Sequence, residues 1–226
     1  MNKLILLSLA LAPVLALGTY VYYKDKWEKE PLRLLIWCFL AGVLSAIPII
    51  IFEVSTDLLF KPNHDNLFEA FISAFFFIAF TEEFWKWIAV LLIAYRNKNF
   101  NEPYDGITYA VMVSLGFAAI ENILYVFQGG ILVGFLRAFT AVPAHTIMGI
   151  LMGYFLGMAK CNPKAKATNL ILSIVTPVLM HGFYDLSIFA YGGAYAWIGA
   201  IISLLIGAYL SKKAIKIHAH NSPFKI

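Results

Sequence analysis

Residues 34–52 read LLIWCFLAGVLSAIPIIIF, a run of 19 positions without one charged side chain. An α-helix needs about 17–25 consecutive, mostly apolar residues to cross the hydrocarbon core of a bilayer. The rest of the 226-residue chain is similar, since 61% is hydrophobic and 13% charged, against roughly 45–50% and about 25% in soluble domains. One water-soluble core cannot bury that much apolar surface. The composition excludes a cytosolic enzyme, a disordered protein and a disulfide-stapled secreted module, and it indicates a membrane protein.

Six further stretches are long and apolar enough to be membrane spans, namely residues 4–23, 67–95, 104–127, 132–158, 168–191 and 194–210. Turn-forming residues separate three pairs of spans, at Gln128-Gly129-Gly130, Cys161-Asn162-Pro163 and Tyr191-Gly192-Gly193. We therefore predict an all-α, polytopic membrane helix bundle with about seven transmembrane helices. Residues 1–226 form a single domain in this prediction, with a basic tail from about residue 211.

The distribution of basic residues predicts the orientation of the bundle. The first stretch is too long for a signal peptide, and its basic cluster follows it, so we expect a retained helix. With seven spans, 13 Lys and Arg residues lie on one side of the membrane and three on the other, and Lys86 lies within a span. Since cytoplasmic loops carry the excess of positive charge, the N-terminus is predicted outside and the C-terminus in the cytoplasm. The net charge of +4 thus reflects topology, and no nucleic-acid partner is expected.

Ionisable side chains inside the predicted spans are the candidate functional residues, because a charge at the bilayer centre costs at least about 2.5–3.5 kcal/mol. Two pairs are spaced i,i+4 and share a helix face: Glu82 with Lys86, and His181 with Asp185. Asp185 could fix the tautomer of His181 and leave its other ring nitrogen free for a metal or water. At about 1.5 Å per residue, all candidates are expected between mid-depth and the outer third of the membrane. The set is Glu82, Glu83, Lys86, Glu121, Asn122, His145, His181 and Asp185.

These residue types favour the attack of water on a carbonyl group. Carboxylates and imidazoles can bind Zn²⁺ with an open coordination position, or a glutamate can activate water without metal. No Ser–His nucleophile, GxGD or HExxH pattern is present, and Cys38 and Cys161 lie apart from the polar set. On the residues alone, three alternatives stay open: separate helix-packing contacts, a non-catalytic membrane scaffold, and a proton-coupled transporter. The chain shows no inverted repeat of the kind common in transporters.

Four ordered motifs resemble the PrsW family of bacterial intramembrane proteases, which is related to the CAAX prenyl proteases and to the APH-1 subunit of γ-secretase. The motifs are Glu82-Glu83-x-x-Lys86, Phe117-x-x-x-Glu121-Asn122, the segment around His145, and His181-Gly182-x-Tyr184-Asp185. Further similarities include Lys24-Asp25, Glu30-Pro31 and Tyr104-Asp105-Gly106-Ile107. The resemblance extends to about Leu210.

The resemblance implies a multi-pass protease of the bacterial cell membrane whose partner is a single-pass membrane protein, an anti-sigma factor. It would make the first (site-1) cut, on the extracytoplasmic side, in envelope-stress signalling. Family activity is expected to depend on the positions matched by Glu82, Glu83 and His181, and Glu121 and His145 match further motif positions. The related CAAX enzymes generally have a histidine at the position of Glu121, which is a departure from their pattern.

With this resemblance, we expect Glu82 to activate the attacking water. His145, His181 and Glu121 are expected to bind Zn²⁺ or, without a metal, to polarise the carbonyl group. The remaining predicted site residues have supporting roles: Glu83 and Asp185 support the reacting groups, Asp185 by orienting His181, Lys86 tunes Glu82, and Asn122 donates a hydrogen bond to the oxyanion. Membrane lipid is the other expected partner.

Overall fold

The computed structural model describes residues 2–190 and 194–225, and every regular element in these ranges is a helix. The α-helices are α1 (Lys3–Lys24), α2 (Leu32–Phe60), α3 (Leu67–Ile72), α4 (Phe80–Val90), α5 (Pro103–Phe139), α6 (Ala141–Cys161), α7 (Lys166–Ala190) and α8 (Ala194–His220). Two π-helical segments, Ser73–Ala79 and Leu91–Tyr95, flank α4, and a 3₁₀ turn, Pro163–Ala165, precedes α7. The predicted all-α class is confirmed.

Helical stretches long and apolar enough to cross a membrane confirm a multi-pass membrane bundle. Within residues 2–190 and 194–225, five meet both criteria: Lys3–Lys24, Leu32–Phe60, Pro103–Cys161, Pro163–Ala190 and Tyr195–His220. The outer surface of the bundle is apolar, with many exposed leucines, isoleucines and phenylalanines, as expected for helices that face lipid. The count of seven crossings and the orientation stay predictions.

Helices α5 and α6 form the centre of the bundle, and glycines let their backbones touch. A Cβ atom at Gly153 would overlap the carbonyl oxygen of Gly106. Small residues four apart commonly permit such close packing of membrane helices. Ser114 Oγ then reaches across the contact and donates to the carbonyl oxygen of His145 at 2.7 Å. The close approach therefore fixes the position of His145 along the axis of α5.

The short helix α4 has ordinary α geometry between two π-helical segments. A π-helical turn uses i→i+5 hydrogen bonds and holds more residues than an α turn, and such turns are frequent at functional sites. Each turn therefore changes which side chains face the bundle. Glu82, Glu83 and Lys86 all fall in the α segment and are buried.

The predicted turn at residues 128–130 is present. Gly130 has non-helical backbone angles, with a φ of 76°, and separates two helical runs within Pro103–Phe139. Glycine adopts positive φ at little cost, so the chain can bend sharply here. A second break comes at Thr140, and α6 therefore begins at Ala141 rather than at Leu132. The predicted turn at residues 191–193 lies outside the described residues.

Candidate active site

The ammonium group of Lys86 lies between two glutamates of the same helix, α4. Lys86 Nζ donates to Glu82 Oε2 and to Glu83 Oε1, each at 2.8 Å. The i,i+4 and i,i+3 spacings place the three side chains on one face of α4, and Glu83 and Lys86 are fully buried. The predicted Glu82–Lys86 contact is present. Glu83 shares the same cation, so two carboxylates face one positive charge.

Helix α6 brings His145 to the same cation and connects it to α5. His145 Nδ1 lies 3.3 Å from Lys86 Nζ, and His145 Nε2 lies 2.8 Å from Glu121 Oε2. An ammonium group can only donate, so Nδ1 is the acceptor and Nε2 carries the proton that is shared with Glu121. The His145 side chain is buried. It therefore links the deep glutamates of α4 to the carboxylate of α5.

Helix α7 places His181 between two carboxylates. His181 Nδ1 lies 3.1 Å from Glu83 Oε1 and 3.9 Å from Glu82 Oε2, and its Nε2 lies 3.3 Å from Asp185 Oδ2. The i,i+4 contact with Asp185 is the one that the sequence predicts. A proton on each ring nitrogen satisfies both flanking acceptors, which makes His181 a cation in this setting.

Arg137 lies at the more exposed edge of the network and is not among the predicted site residues. Its Nη2 lies 2.7 Å from Glu121 Oε2, and its Nε donates to Asn122 Oδ1 at 2.8 Å. The kink at Gly130 turns the end of α5 back so that Arg137 reaches these residues. An arginine within a predicted span is an intramembrane charge, so the rule that selected Glu82 could have found it.

Asn122 links α5 to α1. Its Nδ2 donates to the carbonyl oxygen of Ala10 in α1 at 2.8 Å, and its Oδ1 accepts from Arg137. The side chain is fully buried. Asn122 therefore ties α5 to α1 and orients Arg137, and its role as an oxyanion donor stays a prediction.

Glu53 of α2 is a further acid at the site that is not among the predicted site residues. Its Oε1 is buried without a hydrogen-bond partner, and the charges of Glu82 and Glu121 act on it. It lies four residues after Ile49 and three before Thr56, both of which are buried. This helical spacing indicates that Glu53 lies on the buried face of α2. The sequence alone does not show which face of α2 is buried, so the spacing does not single out Glu53.

The network as a whole joins four helices, and we call it the membrane cluster: Glu82, Glu83, Lys86, Glu121, Arg137, His145, His181 and Asp185. All eight predicted site residues belong to it or, for Asn122, are attached through Arg137. The side chains of Glu121, Arg137 and Asp185 are 14–21% exposed, against 0–5% for those of Glu82, Glu83, Lys86, His145 and His181. A substrate would therefore meet the cluster at the edge formed by Glu121, Arg137 and Asp185.

The metal set of His145, His181 and Glu121 stays a prediction. Both ring nitrogens of His181 lie within 3.3 Å of a carboxylate oxygen. The ligand atoms of Glu82, Glu83 and His145 lie within 4.8 Å of one another, so this second group of the membrane cluster also has a spacing that suits a metal. Carboxylate oxygens and an imidazole nitrogen suit Zn²⁺. Lys86 Nζ bonds to all three residues, so its ammonium group lies where such a cation would bind.

A second buried group of acids joins the end of α1 to the start of α5, and we call it the α1–α5 cluster: Asp25, Glu30, Glu102 and Asp105. Carboxylate oxygens of Asp25, Glu102 and Asp105 lie within 4.8 Å of one another. Asp105 Oδ2 accepts from the backbone N–H groups of Asn101 and Glu102, each at 2.8 Å. Asp105 therefore caps the first turn of α5.

Burial favours the protonated form of acids in the α1–α5 cluster. Desolvation raises the pKa of Asp25 to about 7, and the nearby carboxylates of Glu102 and Asp105 add to the shift. Desolvation also raises the pKa of Glu30 to about 10, and the Tyr109 hydroxyl donates to its carboxyl group. Three family-like motifs of the sequence meet in this cluster, away from the candidate active site.

The comparison with known proteins agrees with the four motifs. The family model described as "PrsW family intramembrane metalloprotease" matches residues 30–210, a range that contains the whole membrane cluster. The chain belongs to the PrsW family. It is therefore a membrane peptidase, and its apolar helices make it a multi-pass membrane protein. The membrane bundle is the scaffold on which this PrsW-family chain carries its polar residues.

Curated relatives named "Protease PrsW" come from several bacteria. The Oceanobacillus iheyensis protein is 45% identical over 180 residues, which are 80% of this chain and 81% of the relative. The Bacillus subtilis protein is 38% identical over 183 residues, with shares of 80% and 81%. The Shouchella clausii protein is 36% identical over 209 residues, with shares of 91% and 94%. No solved structure matches the chain significantly.

Proposed function

We propose that the membrane cluster is the catalytic centre of this intramembrane peptidase and that Glu82 activates the attacking water. One observation carries the proposal: a single hydrogen-bonded network inside the bundle joins acids, imidazoles and cations from four helices. Independent packing contacts would have no reason to share one site. Glu82 contacts Lys86 through Oε2, which leaves Oε1 to accept a proton from water. Lys86 positions this carboxylate through that hydrogen bond.

In the proposed mechanism, His181 stabilises the oxyanion. Its contact with Asp185 is 3.3 Å long and lies toward the exposed edge of the cluster. A substrate carbonyl oxygen could take this Nε2–H, while Glu83 continues to hold Nδ1. A cation close to the developing negative charge lowers the barrier to water attack. Glu82 takes the proton from water and passes it to the leaving amine. Glu83, Lys86 and Asp185 act as positioning residues.

The family description names a metalloprotease, and the donor set supports a metal at Glu82, Glu83 and His145. These residues provide oxygen and nitrogen ligands at suitable mutual distances. A bound Zn²⁺ would act as a Lewis acid toward a carbonyl oxygen or a water molecule. Lys86 competes with it for the same three groups. Lys86→Met is therefore expected to raise the affinity for zinc, which equilibrium dialysis of the purified variant and the parent would measure.

The proposed substrate is a single-pass membrane protein, an anti-sigma factor that is cut first by this enzyme. The resemblance of the motifs supports this substrate. The position of the membrane cluster inside a bundle of membrane-spanning helices also supports it. Under the predicted orientation, the exposed edge of the membrane cluster faces the outer half of the bilayer. A cut on the extracytoplasmic side follows from that position.

Cleavage of a single-span anti-sigma substrate by purified protein in liposomes tests the proposal. Glu82→Gln should lower the rate by about 10²–10⁴-fold, the usual contribution of a general acid or base. His181→Ala should lower it by about 10²–10³-fold, the usual cost of removing an oxyanion donor. Glu69→Gln provides a matched control, because Glu69 lies outside the membrane cluster near the start of α3. Full activity of Glu82→Gln would remove the proposed base. Unchanged cleavage together with lost binding of a partner protein would instead indicate a scaffold.

A further inference from the structure

A groove of about 690 Å³ lies between the end of α4 and the connection from α6 to α7. One wall consists of Trp87, Leu91 and Leu92, and Leu170 of α7 lies opposite. The groove is separate from the membrane cluster, although Trp87 directly follows Lys86 in the chain. Nothing in the proposed mechanism uses it.

Three cations line the same groove, and no acidic side chain does: Arg96, Lys160 and Lys166. Arg96 and Lys166 are exposed. Lys160 is held in place, since its Nζ donates to the Tyr95 carbonyl oxygen at 2.7 Å and lies 5.4 Å from the centre of the Tyr95 ring. Within residues 2–190 and 194–225, none of the three cations forms an ion pair. The groove therefore joins a positive end to an apolar wall.

The positive end and the apolar wall match the two parts of an acidic phospholipid. A phosphate group would meet the cations, and acyl chains would continue along the apolar wall toward the lipid-facing surface. Basic pockets between transmembrane helices on the cytoplasmic side are known to bind acidic headgroups, and the predicted orientation places this groove on that side. Trp and Tyr side chains are also enriched at the membrane–water interface, where Trp87 and Tyr95 would lie.

We propose that this groove is a binding site for an acidic phospholipid, with its phosphate at Arg96, Lys160 and Lys166. A zwitterionic lipid would place a second positive charge against these cations, so the groove should prefer a lipid with net negative charge. The binding itself does not depend on which residues catalyse proteolysis.

The bound lipid would brace the two helices that carry Glu82 and His181. Trp87 Nε1 already donates to Ser173 Oγ at 2.8 Å, which links α4 to α7 beside the groove. A lipid that contacts Trp87 and Leu170 at once adds to this link. Acidic lipid should therefore raise the thermal unfolding midpoint of the purified protein.

Native mass spectrometry of the detergent-purified full chain tests the site with dioleoylphosphatidylglycerol and dioleoylphosphatidylcholine as probes. The parent should retain the acidic lipid in clear preference. Arg96→Gln combined with Lys166→Gln should weaken its binding by roughly ten-fold or more, since each cation near the surface contributes to the attraction. The matched control combines Lys98→Gln with Lys164→Gln, which removes two exposed lysines of neighbouring loops outside the groove and should keep the parent affinity.

Two results would overturn the proposal. One is an equal loss in the control variant, which would mean that only the overall surface charge matters. The other is an equal rise in the unfolding midpoint with glycerophosphoglycerol, the free headgroup, which would mean that the site binds a soluble phosphate rather than a lipid. A midpoint rise with the lipid alone, absent from the groove variant, would support the proposal even if that variant is less stable without lipid.

Discussion

The membrane cluster and the α1–α5 cluster both bury several acids, but they balance the negative charge in different ways. In the membrane cluster, Lys86 and Arg137 pair directly with carboxylates. In the α1–α5 cluster, the nearby Lys29 donates to backbone carbonyl oxygens of Tyr22 and Asp25 rather than to a carboxylate. Burial there raises the pKa of Asp25 to about 7.

The difference separates acids that can do chemistry from acids that hold the fold. A general base must be ionised, and a neighbouring cation keeps a buried carboxylate in that form. A protonated carboxyl group donates and accepts hydrogen bonds at no charge cost, which suits the joint between α1 and α5. The identity of the acids alone cannot make this distinction, because both clusters contain aspartate and glutamate.

The largest expected effect on stability comes from removing the cation of the membrane cluster. Lys86→Met removes the cation that Glu82 and Glu83 share and leaves His181 to face both carboxylates. Breaking a buried ion pair in this way costs about 3–5 kcal/mol. The midpoint of unfolding in detergent micelles should fall strongly, whereas Lys164→Met, at an exposed loop residue, should leave it unchanged. Equal midpoints for Lys86→Met and the parent would contradict the account of charge balance.

A smaller loss is expected at the exposed edge of the same cluster. Arg137→Leu removes hydrogen bonds to Glu121 and Asn122, and bonds to charged groups contribute about 1.5–3 kcal/mol each. Part of this loss comes from the Glu121 charge that is left behind. A double-mutant cycle with Glu121→Leu should therefore show strong coupling in the free energy of unfolding. Additive effects of the two changes would mean that the pair does not interact.

The smallest expected effect is a change in the pH dependence of stability through Asp25. Its pKa is about 7 in the folded protein against a model value of 3.8, so the folded state binds more protons between these values. Stability should therefore fall as the pH rises from about 4 to about 7 and should level off above that range. Asp25→Asn cannot ionise and should flatten this slope in thermal unfolding. An unchanged slope in the variant would show that Asp25 is already ionised in the fold.

The sequence predicts much of the fold and the members of the site, because each depends on local patterns. Apolar length indicates the helices, and charges inside those helices select Glu82, His181 and their neighbours. Which side chains contact each other depends on how the helices pack, and residue spacing along the chain does not show this packing. The contacts of Asn122 with Ala10 and of His181 with Glu83 join distant segments. Spacing along the chain therefore does not predict them, whereas it does predict the i,i+4 contact of His181 with Asp185.

A matched pair of substitutions tests the central claim most directly, with one glutamate from each cluster. Glu82→Gln and Glu102→Gln each replace a buried glutamate by the amide of the same shape, and cleavage of a single-span substrate would be measured per folded molecule in the same liposomes. The account predicts a loss of about 10²–10⁴-fold for Glu82→Gln and the parent rate for Glu102→Gln. Cleavage by Glu82→Gln at the parent rate, or equal losses in both variants, would contradict it.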